Sequence, residues 1–200
     1  MIKKLVRFII CIALISALLI AAAFGMKIYN EDYVESSYPL KYEKEVEAAA
    51  KRYGVDKYLI YGVIKTESNF DSDAVSHVGA TGLMQLMPET FEWVQSYYVD
   101  ETYEDYTFED LKDPALNIDY GTHILSILLD MYDGVEDTAV SAYNAGVGNV
   151  NSWLEDSEYS DDGKTLKYVP FPETENYRHK VAQNKSCYKA YYTDKEERTK

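Results

Sequence analysis

The chain of 200 residues has a formal net charge of −14, and apolar and aromatic residues make up 46% of it, which is enough for one domain with its own core. The excess of acidic side chains disfavours polyanions as partners, so no nucleic-acid binding is expected. The two cysteines, Cys11 and Cys187, and three widely separated histidines form neither a disulfide framework nor a ligand set, so no metal and no other cofactor is predicted.

Residues 8–26 contain no charged side chain, and this run is close to the roughly 20 residues that cross a bilayer as a helix. Lys3, Lys4 and Arg7 precede it, so the positive-inside rule predicts a cytoplasmic N-terminus, a single pass through the cell membrane and a domain outside. We interpret residues 1–27 as a basic tip and membrane anchor. A cleaved signal peptide is the alternative, because the alanines at 21–23 offer a small-residue cleavage site.

A mostly helical domain is predicted over residues 41–190, after a polar, tyrosine-rich spacer at 28–40 and before a polar tail at 191–200. Neither an internal repeat nor a regular alternation of strands and helices is found. The expected fold class is therefore mostly α, with a single globular domain after an N-terminal transmembrane helix.

Capping residues mark the expected ends of the helices. Asp56 and Asp113 are suited to cap helix N-termini, and Pro114 follows at a first helical position. Gly54 and Gly134 are suited to end helices. The helices expected in chain order cover residues 41–54, 57–67, 88–98, 114–134, 136–146, 146–156 and 173–192, with a loop at 98–111 and a loop or short hairpin at 157–172.

Glu67 lies on the apolar side of the second predicted helix. It follows four apolar residues at spacings of three and four, which are Leu59, Ile60, Val63 and Ile64. A carboxylate in the last turn of a helix is commonly a solvated end residue, which is the simpler interpretation. Partial burial and the negative end of the helix dipole would both raise the pKa of this carboxyl. A carboxyl that keeps its proton near neutral pH is what a general acid requires.

Four short blocks carry a resemblance to a known enzyme family. They read ESNF from Glu67, GATGLMQLMP from Gly79, SAYNAG from Ser141 and PETENY from Pro172. In this order and at these separations they resemble the signature blocks of the soluble-type (Slt-like) lytic transglycosylases, whose catalytic domain is similar to goose-type lysozyme. The similarity covers residues 42–190 and implies a lysozyme-like fold.

The resemblance implies peptidoglycan glycan strands as the substrate. The reaction would cleave the β-1,4 bond between N-acetylmuramic acid and N-acetylglucosamine without water. Glu67 matches the single acid/base of the family, which would protonate the bridging oxygen and then accept the proton of the muramyl 6-hydroxyl as that oxygen attacks C1. The product would be a 1,6-anhydromuramyl end. Because the sugar's own hydroxyl attacks, the second carboxylate of ordinary glycosidases is not needed.

The second block is expected to contribute to the sugar groove. By resemblance, Met84 supplies an apolar contact and Gln85 an amide for N-acetyl or hydroxyl groups. Packing in a buried loop is the alternative for this block. Ser68, next to the acid, either caps the helix end or bonds the substrate.

The third and fourth blocks are expected to surround the acid. By resemblance, Tyr143 lies beside the catalytic carboxyl, where its hydroxyl would orient Glu67 or contact the developing positive charge, and Asn144 supports the site. Tyr177 matches a cleft tyrosine, with helix packing as the alternative.

Other functions stay open from the sequence alone. A lysozyme-like muramidase would use the same acid with water, although the nearest carboxylates, Asp71 and Asp73, are expected to cap a turn instead. A non-catalytic module that binds the wall or serves as a scaffold would keep the fold without turnover. Tethered enzymes of this kind also occur in secretion and conjugation machineries, so cell-envelope or secretion partners are possible in addition to the membrane and the wall.

Overall fold

We describe the protein from a computed structural model, which covers residues 16, 18–20, 32–95 and 106–198, with side chains up to residue 193. The chain divides into two compact units, Met1–Leu40 and Lys41–Lys200. In the first unit, residues 32–37 are helical within the predicted spacer. Most of the predicted anchor lies outside the described residues, and no helix in the described part is both long and apolar enough to cross a membrane.

The second unit is built from helices. The β-structure among its described residues is limited to isolated bridges, such as the one between Ser160 and Leu166 in the predicted hairpin region. The predicted mostly α fold class is therefore confirmed for this unit. Its helices are α1 (Glu43–Tyr53), α2 (Lys57–Glu67), α3 (Pro88–Gln95), α4 (Pro114–Met131), α5 (Glu136–Ala145), α6 (Val147–Glu155) and α7 (Pro172–Arg198), with a 3₁₀ turn at Phe108–Lys112.

The helix ends follow the predicted capping chemistry. The Asp56 side chain accepts the Tyr58 N–H at 2.9 Å, and Gly54 ends α1 in the left-handed conformation. The last helix is longer than predicted, because it continues to Arg198 through the polar residues expected to form a tail. Lysine, glutamate and arginine in that stretch are good helix formers, which explains the extension.

The core surrounds α2. Every residue from Tyr58 to Ile64 is buried, and α2 packs along α7, where Tyr61 stacks on Tyr188 with 5.0 Å between ring centroids. Helix α4 packs against α1 and α5 and contributes fully buried side chains such as Leu125. Burial of an apolar side chain of this size contributes about 1.5–3 kcal/mol. The buried core of the domain therefore includes the helix that ends at Glu67.

Gly121 of α4 provides space for Met84, which belongs to the loop between α2 and α3. A Cβ at Gly121 would lie 2.4 Å from the Met84 Sδ and 2.8 Å from its Cβ, and Met84 is fully buried. We expect Gly121→Ala to destabilise the domain by about 1–3 kcal/mol, because overpacking forces the surroundings to shift. Denaturant unfolding followed by circular dichroism measures this change.

Gly148 of α6 offers a matched control, since a Cβ there would meet no atom within 4 Å. Gly148→Ala should be neutral or stabilising by up to about 1 kcal/mol, because alanine is the better helix former. Equal effects of the two substitutions on the free energy of unfolding would contradict the tight contact between Gly121 and Met84.

Candidate active site

Glu67 is the last residue of α2, and its side chain is partly buried. The helix ends there because Asn69 and Phe70 adopt left-handed conformations, at φ 50° and 66°. This conformation is costly for a phenylalanine and requires support from the surrounding structure. Phe70 is buried against Tyr61, with 6.2 Å between the ring centroids. The carboxyl is thus held at a sharp turn between the core and the surface.

The surroundings of Glu67 favour its protonated form. Burial raises the pKa of the carboxyl to about 7, a hydrogen bond from Tyr177 opposes the rise, and the nearby Glu173 adds to it. The upward shift that we predicted from the apolar face of the helix is confirmed, with burial as the main cause. A carboxyl with this pKa can donate a proton at neutral pH and also exist as the carboxylate.

Tyr177 of α7 is the direct hydrogen-bond partner of Glu67. Its hydroxyl donates to the Glu67 Oε1 at 2.6 Å, across 110 positions of the sequence. Burial and the Glu67 charge raise the pKa of Tyr177 well above its ordinary value, so the phenol stays protonated as a donor. A bond this short, from a phenol to a carboxyl group, fixes the orientation of the acid.

Tyr143 of α5 lies near the same carboxyl but has another hydrogen-bond acceptor. Its hydroxyl donates to the Met84 carbonyl oxygen at 2.9 Å, while burial and the nearby Glu67 raise the pKa of Tyr143 well above its ordinary value. One role predicted for Tyr143 is to orient Glu67 through a hydrogen bond. In the structure that hydrogen bond is made by Tyr177. Tyr143 ties α5 to the loop between α2 and α3.

The Met84 side chain does not line a groove in this structure. It is fully buried and packs against Gly121, so it has no exposed surface for the apolar contact with a sugar that the resemblance implies, and that contact stays a prediction. The Gln85 amide nitrogen donates to the carbonyls of Ala74 at 3.0 Å and Gly82 at 2.9 Å. Gln85 is partly buried, and these two hydrogen bonds brace the loop beside the site.

Asn117 of α4 anchors this loop and was missed in the sequence. It is fully buried; its Oδ1 accepts the Met84 N–H at 2.8 Å, and its Nδ2 donates to the carbonyls of Thr81 and Leu111, both at 3.0 Å. A Cβ at Gly82 would lie 2.2 Å from this Nδ2, and Gly82 has a positive φ of 79°. The signal available in the sequence was an amide on the apolar face of a predicted helix.

Ser68 and Asn144 connect the elements around Glu67. The Ser68 hydroxyl donates to the carbonyl of Leu83 at 2.9 Å and lies 3.3 Å from that of Ile64, so it caps the end of α2 and joins it to the loop. Asn144 is exposed at the end of α5, and its Oδ1 accepts the Thr174 hydroxyl hydrogen at 2.7 Å. The start of α7 is thereby attached to α5.

Glu173 is a second carboxylate of this region that the sequence analysis did not select. It is exposed, lies four residues before Tyr177 and therefore on the same side of α7, and raises the pKa of Glu67. Its spacing from Tyr177 was the available signal. Asp71 accepts the Asp73 N–H at 3.0 Å and caps a turn, as predicted.

The site therefore combines one partly buried carboxyl, which titrates near neutral pH, with a tyrosine that orients it. This pair can donate a proton and then accept one at the same atom. Across the described residues, no group of three or more histidine, cysteine, aspartate or glutamate side chains could hold a metal ion.

A family model described as the transglycosylase SLT domain matches residues 44–166. The chain belongs to this family. Among curated relatives of the SLT domain, membrane-bound lytic murein transglycosylase C from Haemophilus ducreyi is 40% identical over 123 residues, which cover 55% of this chain and 32% of that protein. The soluble lytic murein transglycosylase of Escherichia coli is 30% identical over 162 residues, which cover 80% of this chain and 24% of that protein.

Solved SLT structures have the same fold. An inactive glutamate-to-glutamine variant of lytic transglycosylase Slt from Pseudomonas aeruginosa aligns with a TM-score of 0.70 at 30% identity, over 80% of this chain and 26% of that one. The 70-kDa soluble lytic transglycosylase of Escherichia coli aligns with a TM-score of 0.71 at 26% identity, over 86% and 27%. The predicted Slt-like fold is confirmed, and the chain spans about a quarter to a third of the length of these relatives.

Proposed function

We propose that the domain is a peptidoglycan lytic transglycosylase in which Glu67 is the single general acid and base. The observation that carries the proposal is the environment of Glu67, whose pKa of about 7 and hydrogen bond from Tyr177 suit a group that must both give and take a proton. Membership of the SLT family supports the reaction class, since the two curated relatives are named as lytic murein transglycosylases.

The first step of the proposed reaction uses the acid form of Glu67. The proton passes to the oxygen that bridges N-acetylmuramic acid and N-acetylglucosamine, and the bond between this oxygen and C1 of the muramyl sugar breaks, so that N-acetylglucosamine leaves with a 4-hydroxyl. The Tyr177 hydroxyl stabilises the Glu67 carboxylate that is left. In the second step this carboxylate accepts the proton of the muramyl 6-hydroxyl while the hydroxyl oxygen attacks C1. Glu67 is then protonated again, and the released chain has a 1,6-anhydromuramyl end.

The proposed substrate contacts come from residues around the acid. The Gln85 amide nitrogen is engaged with two backbone carbonyls, so we assign its amide oxygen as an acceptor for an N-acetyl N–H. The Asn144 amide nitrogen, at an exposed position, is assigned to sugar hydroxyls. Tyr143 and Ser68 donate to backbone carbonyls, so their oxygens can still accept hydrogen bonds from the substrate.

A hydrolytic reaction is the second candidate, and Glu173 is the observation that favours it. This carboxylate is exposed and close enough to Glu67 to raise the pKa of Glu67, so under this candidate it would act as the base for an attacking water. The proposed transglycosylase does not need this group as a base. Under the first candidate, Glu173→Gln removes a repulsive charge near Glu67 and leaves the type of product unchanged.

Mass spectrometry of digested peptidoglycan separates the two candidates. We expect purified protein to release muropeptides that end in anhydromuramic acid, which are one water lighter than the hydrolytic products. Reducing muramic acid as the main product would instead support the hydrolase, and the absence of any soluble muropeptide would support a non-catalytic role.

We also infer that the protein is attached to the cell membrane, with the domain outside facing the wall. The inference rests on the uncharged run at residues 8–26 and its basic flank, and one relative is named as membrane-bound. Fractionation of cells that produce the full chain or residues 28–200 tests it, because only the full chain should sediment with membranes in alkaline carbonate.

A further inference from the structure

Arg178, the residue after Tyr177 in α7, has a side chain that is only 7% exposed. Its Nε and Nη2 donate to the two oxygens of Glu175 at 2.8 and 2.9 Å, and its Nη1 donates to Asp137 of α5. Glu175 also accepts the N–H of Val169 at 2.9 Å. One guanidinium thus joins the first turns of α7, the segment before it and the first turn of α5.

We propose that Arg178, Glu175 and Asp137 form a clamp that fixes the start of α7 and so holds the Tyr177 hydroxyl against Glu67. Arg178 is a positioning residue in this proposal. The inference uses the proposed function only in assigning catalysis to Glu67.

The geometry of α7 explains why Arg178 acts on Tyr177. Successive residues of a helix point in directions roughly 100° apart, so Arg178 faces α5 while its neighbour Tyr177 faces the end of α2. A bidentate pair with a carboxylate fixes both the distance and the plane of the guanidinium. Rotation or sliding of the first turn of α7 would break the bond from Arg178 to Asp137 of α5 and the bond from the Val169 N–H to Glu175, while the pair between Arg178 and Glu175 lies within α7 and keeps the guanidinium in place for Asp137. Such a rotation or sliding would also move the Tyr177 oxygen away from its 2.6 Å contact with Glu67.

A second ion pair on the same helix, which is partly buried, serves as a control. Lys185, seven residues after Arg178, binds Glu136 of α5 and lies 3.2 Å from Asp56. Lys185 also joins α7 to neighbouring elements, but it lies about two helical turns after Tyr177. Loss of this pair should weaken the fold and leave the hydrogen bond between Tyr177 and Glu67 in place.

The charges that act on Glu67 decide which variant is most informative. Tyr177 and Glu173 face the carboxyl from α7, and Tyr143 faces it from α5. Arg178→Met leaves two carboxylates without their cation, which changes the electrostatic potential as well as the geometry. Arg178→Lys conserves the positive charge but loses the planar fork, so an effect of this variant on Glu67 reports on geometry.

The test is an NMR titration of the Glu67 carboxyl carbon in protein labelled with carbon-13 glutamate, assigned by the signal missing in Glu67→Gln. We expect Arg178→Lys to raise the pKa of Glu67 by at least half of the rise caused by Tyr177→Phe. In the double variant, Arg178→Lys should add nothing to Tyr177→Phe. Lys185→Met should leave the pKa of Glu67 unchanged while it lowers the melting temperature.

Three outcomes would overturn the clamp: an unchanged pKa of Glu67 in Arg178→Lys, an equal shift in Lys185→Met, or full additivity with Tyr177→Phe. Arg178→Lys retains the charge and keeps the test available if Arg178→Met does not fold. The titration does not depend on turnover. A wild-type protein without anhydro products would therefore overturn the proposed function and leave the clamp to be judged by the titration.

Discussion

Glu67→Gln should lower the rate at which anhydromuropeptides are released by about 10²-fold to 10⁴-fold, which is the range that general acid–base catalysis contributes. Glutamine has the shape of glutamate and keeps an oxygen that can accept the 2.6 Å hydrogen bond from Tyr177. It has no proton to give to the bridging oxygen. The loss should appear in kcat, with little change in KM, because the change removes an interaction made during the reaction.

The same substitution should stabilise the fold at neutral pH. The folded-state pKa of Glu67, about 7, lies above the ordinary value of 4.5, so the folded protein holds this proton more tightly than the unfolded chain. Stability then falls as pH rises from about 4.5 to about 7, by on the order of 2 to 3 kcal/mol. Glutamine removes this pH-dependent penalty, so the variant should melt several degrees higher than the wild type at pH 7.5 and at nearly the same temperature at pH 4.

Calorimetry and a muropeptide release assay measure the two effects on the same protein. Glu89→Gln, at an exposed position in the first turn of α3, is the control for loss of one negative charge and should change neither quantity appreciably. A Glu67→Gln variant that is less stable than the wild type at pH 7.5, or that retains the wild-type rate, would contradict the role assigned to this carboxyl.

Tyr177→Phe should shift the pH dependence of the reaction. Activity requires protonated Glu67, so the rate falls as pH rises through its pKa of about 7. The Tyr177 hydrogen bond stabilises the carboxylate and lowers this pKa, so without it the descending limb should move upward by about one pH unit. The maximal rate should fall about tenfold, because the acid also loses its orientation. A profile of kcat/KM from pH 5 to 9 measures both changes.

Tyr143→Phe is the matched control, since the Tyr143 hydroxyl donates to the Met84 carbonyl instead of to Glu67. It should loosen the loop and raise KM while the descending limb stays where it is in the wild type. If Tyr143→Phe moves the limb and Tyr177→Phe does not, the assignment of the orienting tyrosine is wrong.

The sequence predicted the helices and the environment of the acid because both depend on local patterns. The spacing of apolar residues in α2 placed Glu67 on the buried face, and the capping residue Asp56 defined where the helix begins. These features involve neighbours within a few positions along the chain. The upward shift of the Glu67 pKa was predicted from that face and from the position of the carboxyl in the last turn of the helix.

The partners of Glu67 could not be derived from local patterns. Tyr177 and Tyr143 both lie in blocks that resemble the family, and only tertiary packing determines which hydroxyl reaches the carboxyl. The direction of the Met84 side chain depends on the space at Gly121, 37 positions later in the chain. The ion pair between Arg178 and Asp137 could not be derived from local patterns either, because the two residues are 41 positions apart.

A digest of purified peptidoglycan in water enriched in oxygen-18, read by mass spectrometry, tests the central claim most directly. The muramyl oxygen forms the new bond in the proposed reaction, so the products should carry anhydromuramyl ends with no oxygen-18 at C1. One oxygen-18 at C1 of the released muramic acid, from the earliest time points onward, would show that water attacks and would contradict the account.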